Sequence, residues 1–127
     1  MTWTFEQSTG RILDPSGTVV ATGYAGGNCG NNPEGKNNPD MQDRPGIGPL
    51  PEGLYNFGTP VDHSHLGAFA VPLIPDPSNE MYGRSDFYFH GDTTPSGNAS
   101  EGCIIGPRQV REAAAASGDT LTVVSGL

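Results

Sequence analysis

The stretch FHGDTTPSGNASEGCII, residues 89–105, sets a base near one end and a nucleophile near the other. Twelve residues separate His90 from Cys103, and five of them are glycine or serine, so the connection is polar and able to fold back on itself. An imidazole and a thiol brought together in this way support acyl transfer: the imidazole takes the thiol proton and the sulfur attacks an acyl carbon. The oxyanion that develops needs donors. Gly102 lets a substrate approach the backbone closely, with the N–H groups of Gly102 and Cys103 as candidate donors. A helix beginning near Pro107 directs the positive end of its dipole toward the thiol from four residues away.

Short strands would position these residues. In SDFYFHG (85–91), Phe87 and Phe89 share one face while Asp86, Tyr88 and His90 share the other, which sets His90 on the less apolar face at a strand end. TWTFE (2–6), GTVVATG (17–23), GLYNFG (53–58), LGAFAVPLI (66–74) and DTLTVVS (119–125) read as further strands. GRIL before a Pro-Ser-Gly turn joins the first and third runs into a meander. Only 107–117 reads as a helix, with Pro107 at the first helical position and Gly118 as its stop. Val110, Ala113, Ala114 and Ser117 would form its small-residue inner face. Residues 26–52 are too polar and too rich in Gly, Asn and Pro for regular elements. They are expected to be a long loop, either a lid or substrate wall over the site or a solvated excursion.

With 127 residues the chain is expected to form one domain with a single core that needs no disulfide staples. Nineteen Gly and twelve Pro make it loop-rich, while Trp3, five Phe and four Tyr supply the core. Fourteen acidic against six basic residues leave a net charge of −8, which disfavours nucleic acid and anionic membrane surfaces as partners. No apolar run has the length of a membrane span, so no membrane insertion is expected. MTWTFEQSTG lacks the basic start and apolar stretch of a secretory signal, and secretion without a cleavable signal peptide is the expectation.

The HGDTTPSGNASEGCII segment resembles the active-site signature of L,D-transpeptidases of the YkuD type, a His-Gly pair, a variable loop, then Ser/Thr-x-Gly-Cys. Upstream, YAGGNCGNNPEGKNNPDMQDRPGIGPLPEGLYNFG and GRSDFYFHGD are similar to the L,D-transpeptidase-like effectors of type VI secretion systems. The matches cover most of residues 24–111. The resemblance implies a mainly β single domain over 1–127, a β-sandwich or half-open barrel of YkuD type with one short α-helix after the catalytic cysteine. It makes Cys103 the nucleophile and His90 its base. The Gly91 carbonyl would hold the second imidazole nitrogen, and Ser100 and Gly102 would shape the turn that presents the thiol. Arg84, Arg108 and Asp92 are the implied substrate contacts, with Arg84 or Arg108 paired to a carboxylate of the protein or the substrate. Many cell-wall enzymes of this type carry a second His before Gly-Cys, where this chain has Glu101.

The implied reaction is acyl transfer on peptidoglycan stem tetrapeptides by an L,D-carboxypeptidase or an L,D-transpeptidase exchanging D-amino acids. It needs no cofactor and no metal. The implied setting is an antibacterial effector that acts as a monomer in the periplasm of a target bacterium, with an immunity protein as partner. Two readings from other classes stand beside this one. VDHSH (61–65) offers Asp62, His63 and His65, and His63, His65 and His90 would make the site of a zinc-dependent cell-wall hydrolase. A Cys29–Cys103 disulfide would instead staple a non-enzymatic binding module.

Overall fold

The computed structural model of the protein describes residues 1–92 and 97–126, so the centre of the segment joining His90 to Cys103 lies outside the described residues. The elements are β1 (Thr2–Glu6), β2 (Arg11–Leu13), β3 (Val19–Thr22), β4 (Tyr24–Ala25), β5 (Gly53–Phe57), β6 (Val61–His63), β7 (Gly67–Pro75), β8 (Phe87–His90), β9 (Ile104–Ile105), α1 (Arg108–Ala116) and β10 (Thr120–Val124). The strands form an open mixed sheet in the order β3-β2-β1-β10-β5-β7-β8-β9-β4, with β6 attached to β7. The fold is mainly β with one α-helix, as expected, and β1–β3 form the expected meander.

Alternation builds the core. Trp3 and Phe5 of β1, and Leu121 and Val123 of β10, point inward while their neighbours are partly exposed. They join Tyr55, Val71, Leu73, Phe87, Phe89 and Ile104 in one apolar cluster. A fully buried side chain such as Phe5 contributes about 1.5–3 kcal/mol by leaving water. β1 and β10 run parallel, from Thr2 opposite Thr120 to Glu6 opposite Val124.

α1 packs on β7 and β8, but its inner face differs from the expected one. Arg111 and Ala114 are buried, with Val110 and Ala115 partly so, whereas Ala113 and Ser117 are exposed. Pro107 is the N-cap, in an extended conformation, and Gly118 follows the helix at φ +73°, the left-handed turn that ends it.

Residues 26–52 depart most from expectation. They form three short 3-10 turns, Asn28–Gly30, Pro33–Gly35 and Pro39–Met41, and then run through the fully buried Pro49, Leu50 and Pro51. The buried Gln7 donates to the Leu50 carbonyl at 2.9 Å, Tyr55 Oη to the Pro51 carbonyl at 2.6 Å, and the Leu50 N–H to the Gly102 carbonyl at 3.0 Å. The segment is thus a packed layer of the domain, tied down by hydrogen bonds that no hydrophobic period announces, and only its Cys29, Pro45 and Gly46 act as a wall of the cleft described next.

Candidate active site

Parallel pairing of β8 with β9 sets the two chemical residues on one face of the sheet, at neighbouring strands. Phe89 lies opposite Ile104 and His90 opposite Ile105, so Tyr88 comes level with Cys103. The Tyr88 N–H reaches the Cys103 Sγ at 3.3 Å. His90 lies two residues further along the same face, and both side chains line an open cleft of about 840 Å³.

His90 is 2 % exposed, and its Nδ1 stands 2.9 Å from the Gly91 carbonyl. A carbonyl only accepts, so Nδ1 carries the proton and Nε2 presents a lone pair. Among the described residues Nε2 has no hydrogen-bond partner. Burial lowers the imidazole's pKa; the Gly91 carbonyl opposes the shift, and the Arg111 charge and His63 reinforce it. The Cys103 thiol is pushed up to about 11, chiefly by burial and against the stabilising N–H of Tyr88. At neutral pH the pair therefore rests as neutral thiol and neutral imidazole. The helix dipole does not supply a standing thiolate: Pro107 and Arg108 line a second hollow, of about 440 Å³, and not the cleft.

The turn that presents the thiol is built around Ser100. Its buried Oγ donates to the Cys103 carbonyl at 2.6 Å and accepts from the N–H groups of Gly26 at 2.8 Å and Gly102 at 3.0 Å. This corrects the expected role of Gly102, because its N–H is taken up inside the turn and is not free for an oxyanion. The amides directed at the sulfur are those of Tyr88 and of Cys103 itself. Gly102 is required on another ground. Its φ is +140°, and a Cβ there would stand 2.6 Å from Arg84 Nη2 and 2.9 Å from the Phe87 ring.

Of the two arginines of which one was expected to pair with a carboxylate, Arg84 meets backbone carbonyls instead. The side chain is buried, and its terminal nitrogens donate to the carbonyls of Gln42 (2.6 Å), Pro49 (2.8 Å), Gly48 (3.0 Å) and Glu101 (3.3 Å). A guanidinium fork serves this purpose because it has several donors and no acceptor. Arg108 is the arginine paired with a carboxylate, Glu112 at 3.3 Å, and its guanidinium also stands over the Phe69 ring. Arg108 and Asp92 line the second hollow, away from the thiol. Asp92 accepts from Tyr24 Oη and from the Gly97 N–H, fastening the chain just after His90.

Arg111, beside the site, was not singled out from the sequence. It donates to the carbonyls of Ala68, Phe69 and Gly106 and lies against Gly91, beside His90. Positions 110, 111 and 114 fall on one helical face, so Arg111 shares the inner face with Val110 and Ala114. His63 and His65 line the same cleft as His90. Among the described residues, however, no three His, Cys, Asp or Glu side chains are grouped to hold a metal ion, so the zinc arrangement is not formed. Cys29 and Cys103 are both free thiols, which removes the disulfide staple. Cys29 also faces the cleft, on a left-handed turn at φ +53°, with its N–H on the Ser100 carbonyl at 3.0 Å.

An open β-sheet that sets an imidazole and a thiol on adjacent parallel strands defines a thiol–histidine cleft protein. The family model of the Tlde1 domain matches residues 24–124, and the chain belongs to that family, a type VI effector family of L,D-transpeptidase-like character. No curated protein and no solved structure matches the chain. Membership implies delivery into target cells, action on the cell wall and a cognate immunity protein. Among the described residues no helix is long and apolar enough to cross a membrane.

Proposed function

We propose that residues 1–127 form one catalytic domain performing cysteine-dependent acyl transfer on peptidoglycan stem tetrapeptides in the periplasm of a target bacterium. It would act as an L,D-carboxypeptidase, as an exchanger of the terminal D-amino acid, or as both. The observation that carries the reading is the Nε2 of buried His90, which has no hydrogen-bond partner among the described residues, on the strand beside Cys103 and with its tautomer held by Gly91. Membership of the Tlde1 domain family supports the same substrate.

Because thiol and imidazole both rest neutral, the proton moves as the substrate is attacked. Cys103 Sγ bonds to the carbonyl carbon between the third stem residue and the terminal D-Ala, and Nε2 of His90 takes the thiol proton. The oxyanion forms beside the Tyr88 and Cys103 amides. When the C–N bond breaks, His90 returns the proton to the departing amine and a thioester remains. Water, or the amine of a free D-amino acid, then attacks the thioester while His90 accepts its proton, and the thiol is regenerated with that proton. Hydrolysis trims the stem; the amine gives exchange.

Mass spectrometry of a disaccharide-tetrapeptide incubated with the protein or with Cys103→Ala, with and without a free D-amino acid, tests this. The expected result is loss or exchange of the terminal D-Ala by the unsubstituted protein alone. Equal turnover by Cys103→Ala, or an unchanged muropeptide in both samples, would sink the reading.

A further inference from the structure

Among the described residues the cleft has no free cation at its thiol. Its charged lining residues are Asp86, Glu101 and Arg84, and both terminal nitrogens of Arg84 are already engaged by four backbone carbonyls. A tetrapeptide cleaved at its last bond brings a free carboxylate to within about one residue, ~3.5 Å, of the attacked carbon. On one side that carboxylate would meet Glu101, whose Oε1 stands 3.9 Å from the Cys29 thiol. A like charge there repels it. The opposite wall is the turn between β6 and β7, with His63, His65 and Leu66.

His63 is constrained in a way that suits an anion. Its Nδ1 accepts the N–H groups of His65 at 3.0 Å and Leu66 at 3.2 Å. The lone pair of Nδ1 is therefore in use, and the proton of the neutral ring sits on Nε2. No hydrogen bond engages Nε2 among the described residues. The ring stands edge-on to Tyr88 with centroids 5.3 Å apart, and the Tyr88 N–H is the one that reaches Sγ. A donor with a fixed tautomer thus stands on the cleft wall next to the residue level with the nucleophile.

We propose that His63 receives the free C-terminal carboxylate of the substrate through its Nε2–H, so that the peptide lies with its C-terminus toward the β6–β7 turn and the rest of the stem toward Glu101 and Cys29. This rests on the cleft's being one for stem tetrapeptides, and it adds the residue that distinguishes a free terminal acid from a continued or blocked chain. A neutral N–H bonded to a carboxylate is a charge-assisted hydrogen bond, strong enough to set specificity without a full ion pair.

Calorimetric binding to Cys103→Ala separates this from catalysis. The ligands are the tetrapeptide with a free terminal D-Ala and the same peptide ending in an amide. Cys103→Ala should bind the acid more tightly than the amide by about 10- to 100-fold. Adding His63→Asn should abolish that preference, because Asn keeps an acceptor for the His65 and Leu66 N–H groups but offers no donor at the Nε2 position. His63→Gln, whose amide N–H falls near Nε2, should restore part of it. Equal binding of acid and amide by Cys103→Ala, no binding of either, a preference that survives His63→Asn, or no recovery with His63→Gln would each overturn the proposal. Turnover by the unsubstituted protein reports separately on acyl transfer: a His63-dependent preference without turnover would leave carboxylate recognition standing and remove the reaction.

Discussion

Arg84 and Arg111 are buried almost equally, at 8 % and 5 % exposure, and neither forms an ion pair among the described residues. Each spends its guanidinium on backbone carbonyls, yet the two hold different things. Arg84 gathers carbonyls from Gln42, Gly48, Pro49 and Glu101, joining the 26–52 coil to the turn that presents Cys103. Arg111 takes the carbonyls of Ala68, Phe69 and Gly106, closing α1 onto β7 on the His90 side. A coil without a sheet ladder has many carbonyls to satisfy, and one guanidinium serves as its polar core. A helix docked on a sheet needs fewer such bonds, because the ladders satisfy most groups already. Each half of the thiol–histidine pair therefore depends on its own buried cation.

Substitution should separate the two anchors. Arg84→Ala should produce the largest loss, about 3–5 kcal/mol in denaturant titration, since four carbonyls in a buried region lose their donor together. Arg84→Lys should recover only part of it, because an ammonium has no planar fork. Arg111→Ala should lose less, about 2–4 kcal/mol by the same titration, having three bonds to break. Arg111→Ala proving the more damaging would reverse the assignment of the coil as the more dependent region. Ser100→Ala strips two N–H groups and one carbonyl of their partner at once, and about 1–3 kcal/mol of stability should go with it. Its kcat should fall more than KM rises, because the thiol's placement is what the hydroxyl secures.

The smallest effect is electrostatic. In the proposed reaction His90 must be neutral to accept a proton, so kcat/KM should fall on the acid side as pH drops through its pKa, which burial, and then Arg111, hold below the ordinary value. Arg111→Gln removes the positive charge and lets that pKa rise. The acid limb of the kcat/KM profile should then move to higher pH, by less than about one unit. Arg108→Gln, exposed and outside the cleft, should leave it in place. Equal shifts in the two variants would dissociate Arg111 from the imidazole.

The strands that carry the pair were legible because alternation is a local property: Phe87 and Phe89 against Tyr88 and His90 could be read from five residues. The two-residue strands β4 and β9 were not, since so short a run has no period, yet β9 is what lays Cys103 beside β8. Gly102 and Ser100 were legible as a turn, but which N–H the Ser100 hydroxyl would occupy depends on Gly26, far away in the chain. The carbonyl-binding roles of Arg84 and Arg111 were hidden for the same reason. A carbonyl partner can be any residue at all, whereas a carboxylate partner leaves a mark in the composition.

The parallel contact between β1 and β10 joins the two ends of the chain. Thr2 and Thr122, 120 positions apart, meet side chain to side chain at 2.9 Å in the middle of the sheet path, between the β1–β3 meander and the rest. A meander formed ahead of β10 would keep an unsatisfied inner edge, and closing so long a loop is entropically slow. During that interval the exposed edge of β1 is open to pairing with another chain. Refolding yield should accordingly fall as protein concentration rises, even though the finished sheet buries that edge completely.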